Sequence, residues 1–146
     1  LFMVGTGEME EELRSLATKL AADDIVCGGF VNQAELPEVY AASDVFVLPS
    51  ENEPWGLIVN EVMCAGIPVV VSDEVGCVPD LLMDGVNGYK MKAGEISTLA
   101  TALENLLADA AVRQRMGAAG LSIIKKWGYM QCRQGIEQAI SRYVLR

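Results

Sequence analysis

Histidine is absent from this chain of 146 residues, and its absence excludes serine–histidine and cysteine–histidine catalytic pairs within the chain. Basic side chains are scarce, because 11 lysine and arginine residues stand against 20 aspartate and glutamate residues. The formal net charge is therefore −9 at pH 7. A chain this acidic repels polyanions, so its composition argues against nucleic acids and anionic membranes as partners.

Cysteine is sparse, and its spacing matches neither a metal site nor a disulfide framework. The four cysteines are Cys27, Cys64, Cys77 and Cys132. Cys27 follows strand-like residues and Cys64 lies in a predicted helix, so both are predicted to be buried thiols. Cys77 follows Gly76 in a loop and is predicted to be exposed. No metal is expected.

Long hydrophobic runs are also missing, since none approaches the roughly 18–20 residues of a membrane-spanning helix. Leu1 leads into a glutamate-rich helix rather than a basic leader, so the start does not have the pattern of a signal peptide. A cytoplasmic location is expected. The basic residues that cluster late in the chain are Arg113, Arg115, Lys125, Lys126, Arg133, Arg142 and Arg146. Their preferred interpretation is a solvated helix face, and the alternative is peripheral contact with the inner face of a membrane.

What the chain does contain is a regular alternation of short apolar runs and helical patterns. Strands are predicted at 2–4, 25–27, 45–48, 69–71 and 88–91, with helices at 8–22, 32–42, 56–65, 78–83, 97–108, 110–125 and 129–144. Gly117, Gly120 and Gly128 are expected to weaken or interrupt the last helices. The length fits one domain. The alternation predicts an α/β fold, a Rossmann-like parallel sheet flanked by helices.

The most informative segment follows the strand at 45–48. A Pro-Ser turn leads to Glu53, then to a Pro-Trp-Gly corner at 54–56, and then to a helix that carries Glu61. A helix N-terminus offers unpaired N–H groups and partial positive charge, so it is a natural seat for a diphosphate. Glu53 in the loop can reach sugar hydroxyls, and Glu61 can accept hydrogen bonds from a ribose diol.

Backbone groups complete this predicted site. Gly56 has no Cβ and so lets the chain approach a ligand closely, while Leu57 and Ile58 supply the next N–H groups. The Gly5-Thr6-Gly7 turn also follows a strand end. Because ligands of parallel α/β sheets bind beyond the carboxyl ends of the strands, this turn is expected at the same edge as Glu53.

Several segments together resemble a known family. They are Val4–Gly7, Gly29–Val31, Ala42–Ser50, Glu53–Glu61, Ala65–Asp73 and Asp84–Tyr89. They resemble the nucleotide-binding C-terminal domain of GT-B retaining glycosyltransferases of family 4, also called glycosyl transferases group 1. The resemblance covers essentially the whole chain.

The resemblance implies roles for matching residues. Glu53 would contact the donor sugar close to the reacting carbon as the catalytic residue. The amides of Gly56, Leu57 and Ile58 would hold sugar and phosphate, and Glu61 would bind the ribose. Gly5 and Gly7 would line the nucleotide cleft, and the loop at Val31 would border the base.

The family pattern also contains parts that this sequence does not match. They are an opening strand and helix with an Arg and a Lys that neutralise the donor phosphates, and an N-terminal acceptor domain. Residues 1–146 are therefore interpreted as a single, N-terminally truncated nucleotide-sugar-binding domain. The expected function is donor binding within a hexosyltransferase, without a metal cofactor. The chain alone is predicted to be inactive, and exposed apolar surface left by the missing part is a possible route to oligomers.

Two alternatives remain open at this point. One is a sugar-nucleotide epimerase with the same fold, which the Glu-Pro-Trp-Gly signature fits less well. The other is a non-catalytic interaction module.

Overall fold

A computed structural model describes residues 1–22 and 24–143. The chain divides into two compact units, Leu1–Val39 and Tyr40–Arg146. Strands alternate with helices along the described chain, and every strand pair is parallel. The predicted α/β class with parallel sheets flanked by helices is therefore confirmed, and the described strands form one sheet in each unit.

The first unit contains a two-stranded sheet. Its elements are β1 (Phe2–Val4), α1 (Glu10–Lys19) and β2 (Val26–Gly29), and α2 (Leu36–Ala41) begins within it. Helix α1 is shorter than predicted at both ends. Strand β2 runs through Gly28 and Gly29, where the sequence predicted it to end. Before α2, the N–H of Asn32 donates to Oε2 of Glu35 at 3.3 Å, a contact of the capping-box type.

The second unit contains a three-stranded sheet in the order β3-β4-β5. Its strands are β3 (Phe46–Leu48), β4 (Val69–Ser72) and β5 (Gly88–Met91). Its helices are α3 (Leu57–Cys64), α4 (Val78–Leu81), α5 (Ile96–Ala108), α6 (Ala110–Ile124) and α7 (Tyr129–Tyr143). Every residue of the central strand β4 is buried, which explains its unbroken Val-Val-Val run.

The core of this second unit lies between the sheet and the helices that follow it. One buried cluster within it consists of Val70, Met91, Ala102, Leu106 and Met116. By contrast, α7 contributes no buried residue. No helix in the described ranges is long and apolar enough to cross a membrane.

Two glycines of α6 play a different part from the one predicted. The helix runs without interruption through Gly117 and Gly120, and both are buried. A Cβ on Gly117 would overlap the backbone carbonyl oxygen of Gly66 at the end of α3. Gly117 therefore allows close approach of α3 and α6, and its packing outweighs its poor helix propensity. Gly128 lies between α6 and α7, as expected.

The predicted burial of the cysteines is wrong for two of them. Cys64 is exposed, because the face of α3 that carries Val59, Val62 and Met63 is the one turned to the core. Cys77 is fully buried, because its loop is held under the segment that follows β3. Burial raises the pKa of the Cys77 thiol to about 11, and nearby carboxylates add to the effect. Cys27 is half-buried.

Candidate functional site

The corner between β3 and α3 is organised by Glu53. Its Oε1 accepts hydrogen bonds from the backbone N–H of Gly56 at 3.0 Å and of Trp55 at 3.3 Å. One carboxylate oxygen therefore holds the chain's own turn. Within residues 1–22 and 24–143 no hydrogen bond reaches Oε2 of Glu53, so this oxygen is the one available to a ligand.

A second loop supports this corner from the end of the neighbouring strand β4. The N–H of Gly76 donates to the carbonyl of Glu53 at 2.9 Å, and the N–H of Cys77 donates to the carbonyl of Trp55 at 2.9 Å. A Cβ on Gly76 would overlap the carbonyl oxygen of Pro54, so only glycine allows this contact. The segments after β3 and β4 thus meet at the carboxyl edge of the sheet, where parallel α/β folds bind ligands.

Gly56 is needed for a reason that the sequence does not reveal. Its φ of 86° and ψ of 55° lie in the left-handed region, and the residue is buried. A Cβ at this position would lie 2.8 Å from Cγ1 of Val75. A side chain on Gly56 would therefore disturb the turn and the core before it met any ligand.

Helix α3 begins at Leu57, one residue later than predicted. Val59 donates its N–H to the carbonyl of Gly56 at 2.9 Å, which closes the first turn. The N–H groups of Leu57 and Ile58 have no acceptor in the described part of the chain. They are the unpaired donors expected at a helix start, and with the helix dipole they favour an anion.

Glu61 lies one turn further into the same helix and is half-buried. Its Oε2 accepts a hydrogen bond of 2.7 Å from the hydroxyl of Tyr40, the first residue of the second unit. Burial, reinforced by the Glu61 carboxylate, raises the pKa of Tyr40, so this phenol is a donor at neutral pH. Sequence reasoning missed Tyr40 because an apolar helix position carries no sign of a partner 21 residues away.

Trp55 is part of the supporting structure. Its Nε1 donates to Oδ1 of Asn60 at 3.1 Å, and its ring centroid lies 6.0 Å from that of Trp127 at an interplanar angle of 46°. Both polar and aromatic surfaces of Trp55 are therefore engaged by the protein. These contacts indicate that Trp55 packs against the protein at the corner. Asn60 and Trp127 were not predicted.

The other predicted site residues belong to the first unit. Gly5 has a φ of 125° and donates its N–H to the carbonyl of Gly29 at 2.8 Å. This bond places the turn after β1 beside the end of β2. Gly7 is exposed in that turn, and Val31 is half-buried in the segment after β2. Gly5, Gly7 and Val31 thus follow strand ends, as predicted.

The residues at the corner supply no cationic group. Across residues 1–22 and 24–143 the ion pairs are Glu10–Arg14, Asp44–Arg113 and Glu137–Arg133. None involves Glu53 or Glu61. The side chains that hydrogen-bond within the corner, Tyr40, Trp55 and Asn60, are neutral. No group of three or more potential metal ligands occurs in the same described ranges.

Comparison with known proteins identifies the class to which this arrangement belongs. Residues 1–122 match the family described as glycosyl transferases group 1. The match covers most of the chain, so the protein belongs to this family, and its fold is that of GT-B glycosyltransferases.

Individual relatives agree with this assignment. Sulfoquinovosyl transferase SQD2 of Arabidopsis thaliana is 35% identical over 129 residues, which cover 86% of this chain and 24% of that protein. Phosphatidyl-myo-inositol mannosyltransferase of Mycobacterium leprae is 35% identical over 130 residues, which cover 88% of this chain and 34% of that protein. The crystal structure of Anabaena Alr3699/HepE in complex with UDP-glucose aligns with a TM-score of 0.82 at 26% sequence identity. The alignment covers 97% of this chain and 40% of that one. The chain thus spans less than half of the length of each of these three proteins.

Proposed function

We propose that this chain binds a nucleotide-diphosphate sugar as the donor-binding domain of a retaining glycosyltransferase of family 4. One observation carries the proposal. The free N–H groups of Leu57 and Ile58 open α3 between two acidic side chains, Glu53 before the helix and Glu61 within it. This order places a binding position for negative charge between two carboxylates that can accept hydrogen bonds from hydroxyl groups.

Each group has a distinct task in the proposed complex. The N–H groups of Leu57 and Ile58 donate to the diphosphate, and the positive end of the α3 dipole lowers its energy further. The unpaired Oε2 of Glu53 accepts from a sugar hydroxyl near the reacting carbon. Glu61 accepts from the ribose diol with the oxygen that Tyr40 does not use. Gly56 acts indirectly, because its left-handed conformation aims the two N–H groups.

In the proposed reaction, the bond between the anomeric carbon and the diphosphate oxygen breaks while the acceptor hydroxyl forms a new bond to that carbon. The acceptor proton leaves with the departing diphosphate. Negative charge grows on the leaving oxygen, and donors fixed before the reaction stabilise it. We propose that the α3 N-terminus serves this purpose without a metal.

We propose that an acceptor-binding domain and phosphate-neutralising basic side chains are supplied from outside the domain described above. Two observations support this division. No lysine or arginine pairs with Glu53 or Glu61 within the described part of the chain. The matched region covers 34% and 24% of two curated relatives, which are therefore about three to four times longer than it. The inactivity of the chain alone follows from this proposal. Roles for Gly5, Gly7 and Val31 in nucleotide binding stay predictions from the family resemblance.

Similarity to known proteins supports a sugar donor. The Anabaena protein has been solved with UDP-glucose, and the relatives above are named as transferases of sulfoquinovosyl and mannosyl groups.

Calorimetric titration with UDP, GDP and ADP, and with the common sugar conjugates of these nucleotides, tests the proposal. We expect selective binding of one base. Glu61→Ala should weaken that binding by roughly 1–3 kcal/mol, because a charged hydrogen bond to the ribose is lost. Glu137→Ala, on the exposed helix α7, is the matched control and should bind as the parent does. Equal affinities of parent and Glu61→Ala would refute the ribose role.

A further inference from the structure

The contact between Tyr40 and Glu61 joins two residues that are 21 positions apart in the chain. Tyr40 is only 7% exposed and lies in the last turn of α2, the element that precedes β3. Its ring is fixed by burial, so its hydroxyl has a fixed position. The hydroxyl oxygen lies 2.7 Å from Oε2 of Glu61, a distance typical of a strong charge-assisted bond.

The contact constrains one half of a flexible carboxylate. Glutamate has three side-chain torsions, and fixing them when a ligand binds costs conformational entropy. The bond from Tyr40 fixes them beforehand. It occupies Oε2, while Oε1 of Glu61 has no hydrogen-bond donor in the described part of the chain. A carboxylate held in this way presents one oxygen, in one place, to a ligand.

We infer that Tyr40 is a positioning residue for ribose recognition, which holds Glu61 so that its free oxygen meets the diol of the nucleotide. This inference rests on the proposed function. It adds to that function a residue that touches no ligand and acts only through Glu61. It also assigns a substrate requirement, since an intact ribose diol is what the positioned carboxylate selects.

A purely structural role for Tyr40 makes a different prediction. A buried phenol needs a hydrogen-bond partner, and Glu61 could be no more than that partner. In that case Tyr40→Phe changes stability and leaves the preference for ribose over deoxyribose intact. A positioning role requires the preference itself to fall, because nucleotides without the diol never use Glu61.

The experiment compares UDP, GDP and ADP with their 2′,3′-dideoxy counterparts by calorimetry on the parent, Tyr40→Phe, Glu61→Ala and the double variant. We expect Tyr40→Phe to weaken binding of the preferred ribonucleotide roughly three- to tenfold, the effect of about one hydrogen bond. Binding of its dideoxy form should not change. In the Glu61→Ala background Tyr40→Phe should have no further effect, since coupled residues are not additive.

Tyr129→Phe is the matched control, because Tyr129 is 96% exposed and its variant should bind as the parent does. Equal weakening of ribo and dideoxy forms by Tyr40→Phe, or no weakening, would overturn the inference while the proposed function stands. A parent chain that binds none of the nucleotides would overturn both. Should Tyr40→Phe not fold, a crystal structure of the parent with its nucleotide decides. Ribose on Oε1 with the Tyr40 contact intact supports the inference, and a broken contact contradicts it.

Discussion

The two units of this protein have the same parallel α/β pattern but bury their apolar residues to very different degrees. In the second unit β4 and its flanking helices enclose fully buried residues such as Val70 and Leu106. In the first unit none of residues 1–22 and 24–39 is fully buried, and Leu16 on α1 is 49% exposed. Local patterns are therefore enough to form strands and helices, whereas full burial requires a third strand and further helices.

The proposed site follows the same division. The residues with the most detailed geometry, from Glu53 to Glu61, rest on the well-packed unit and are supported by the loop after β4. Functional groups need such rigid support, because an error of about 1 Å in position costs much of their effect. Exposed apolar side chains of the first unit offer a route to oligomers, and that route stays a prediction.

The largest expected difference between the units concerns leucine truncation. Leu106→Ala removes a fully buried side chain and should lower the free energy of unfolding by roughly 2–5 kcal/mol. Leu16→Ala, in the half-exposed α1, should cost less than about 1 kcal/mol. Urea denaturation followed by circular dichroism measures both. Similar costs for the two variants would show that the first unit is packed as tightly as the second.

A second, smaller difference concerns glycines that face a neighbour. Gly117→Ala would press a Cβ against the backbone oxygen of Gly66, and we expect a loss of roughly 1–3 kcal/mol. Gly28→Ala in the first unit meets only the ring of Phe2, a partly exposed side chain that can turn away, so its cost should be clearly lower.

The same denaturation assay compares these glycine variants. Gly135→Ala serves as the reference for helix propensity, because its Cβ would meet nothing within 4 Å. It should stabilise α7 by roughly 0.5–1 kcal/mol. A Gly117→Ala variant as stable as the parent would contradict the close approach of α3 and α6.

The order of the elements and the position of helix α3 could be predicted from sequence. Strand and helix periodicities are local, and the placement of Glu53 before α3 and Glu61 within it follows from a single turn. The burial of Cys77, the packing role of Gly117 and the hydroxyl bond of Tyr40 could not be predicted. Each depends on a partner far along the chain, and such a partner leaves no mark in the local pattern.

The smallest expected effect concerns pH and the buried thiol. Because the pKa of Cys77 is raised from 9.0 to about 11, the folded state holds this proton more tightly than the unfolded state. The associated stability is fully present below pH 9 and is lost as the pH rises towards about 11. Cys77→Ala should therefore lose less stability than the parent between pH 8 and pH 10.5.

Cys27 in the first unit is the matched comparison. It is half-buried, whereas Cys77 is fully buried, so the two thiols should differ in their access to reagents. In the native protein a thiol reagent should modify Cys27 well before Cys77. Rapid modification of Cys77 without unfolding would show that the segment after β3 does not cover it.

The central claim is that the start of α3 receives the diphosphate of a nucleotide. Two-dimensional ¹H–¹⁵N NMR during a titration with UDP, GDP and ADP tests it most directly, because each amide reports separately. We predict that one nucleotide moves the amide signals of Leu57 and Ile58 most, with downfield proton shifts typical of a bond to phosphate oxygen. Saturating nucleotide that leaves both signals in place, while other residues shift, would contradict the claim.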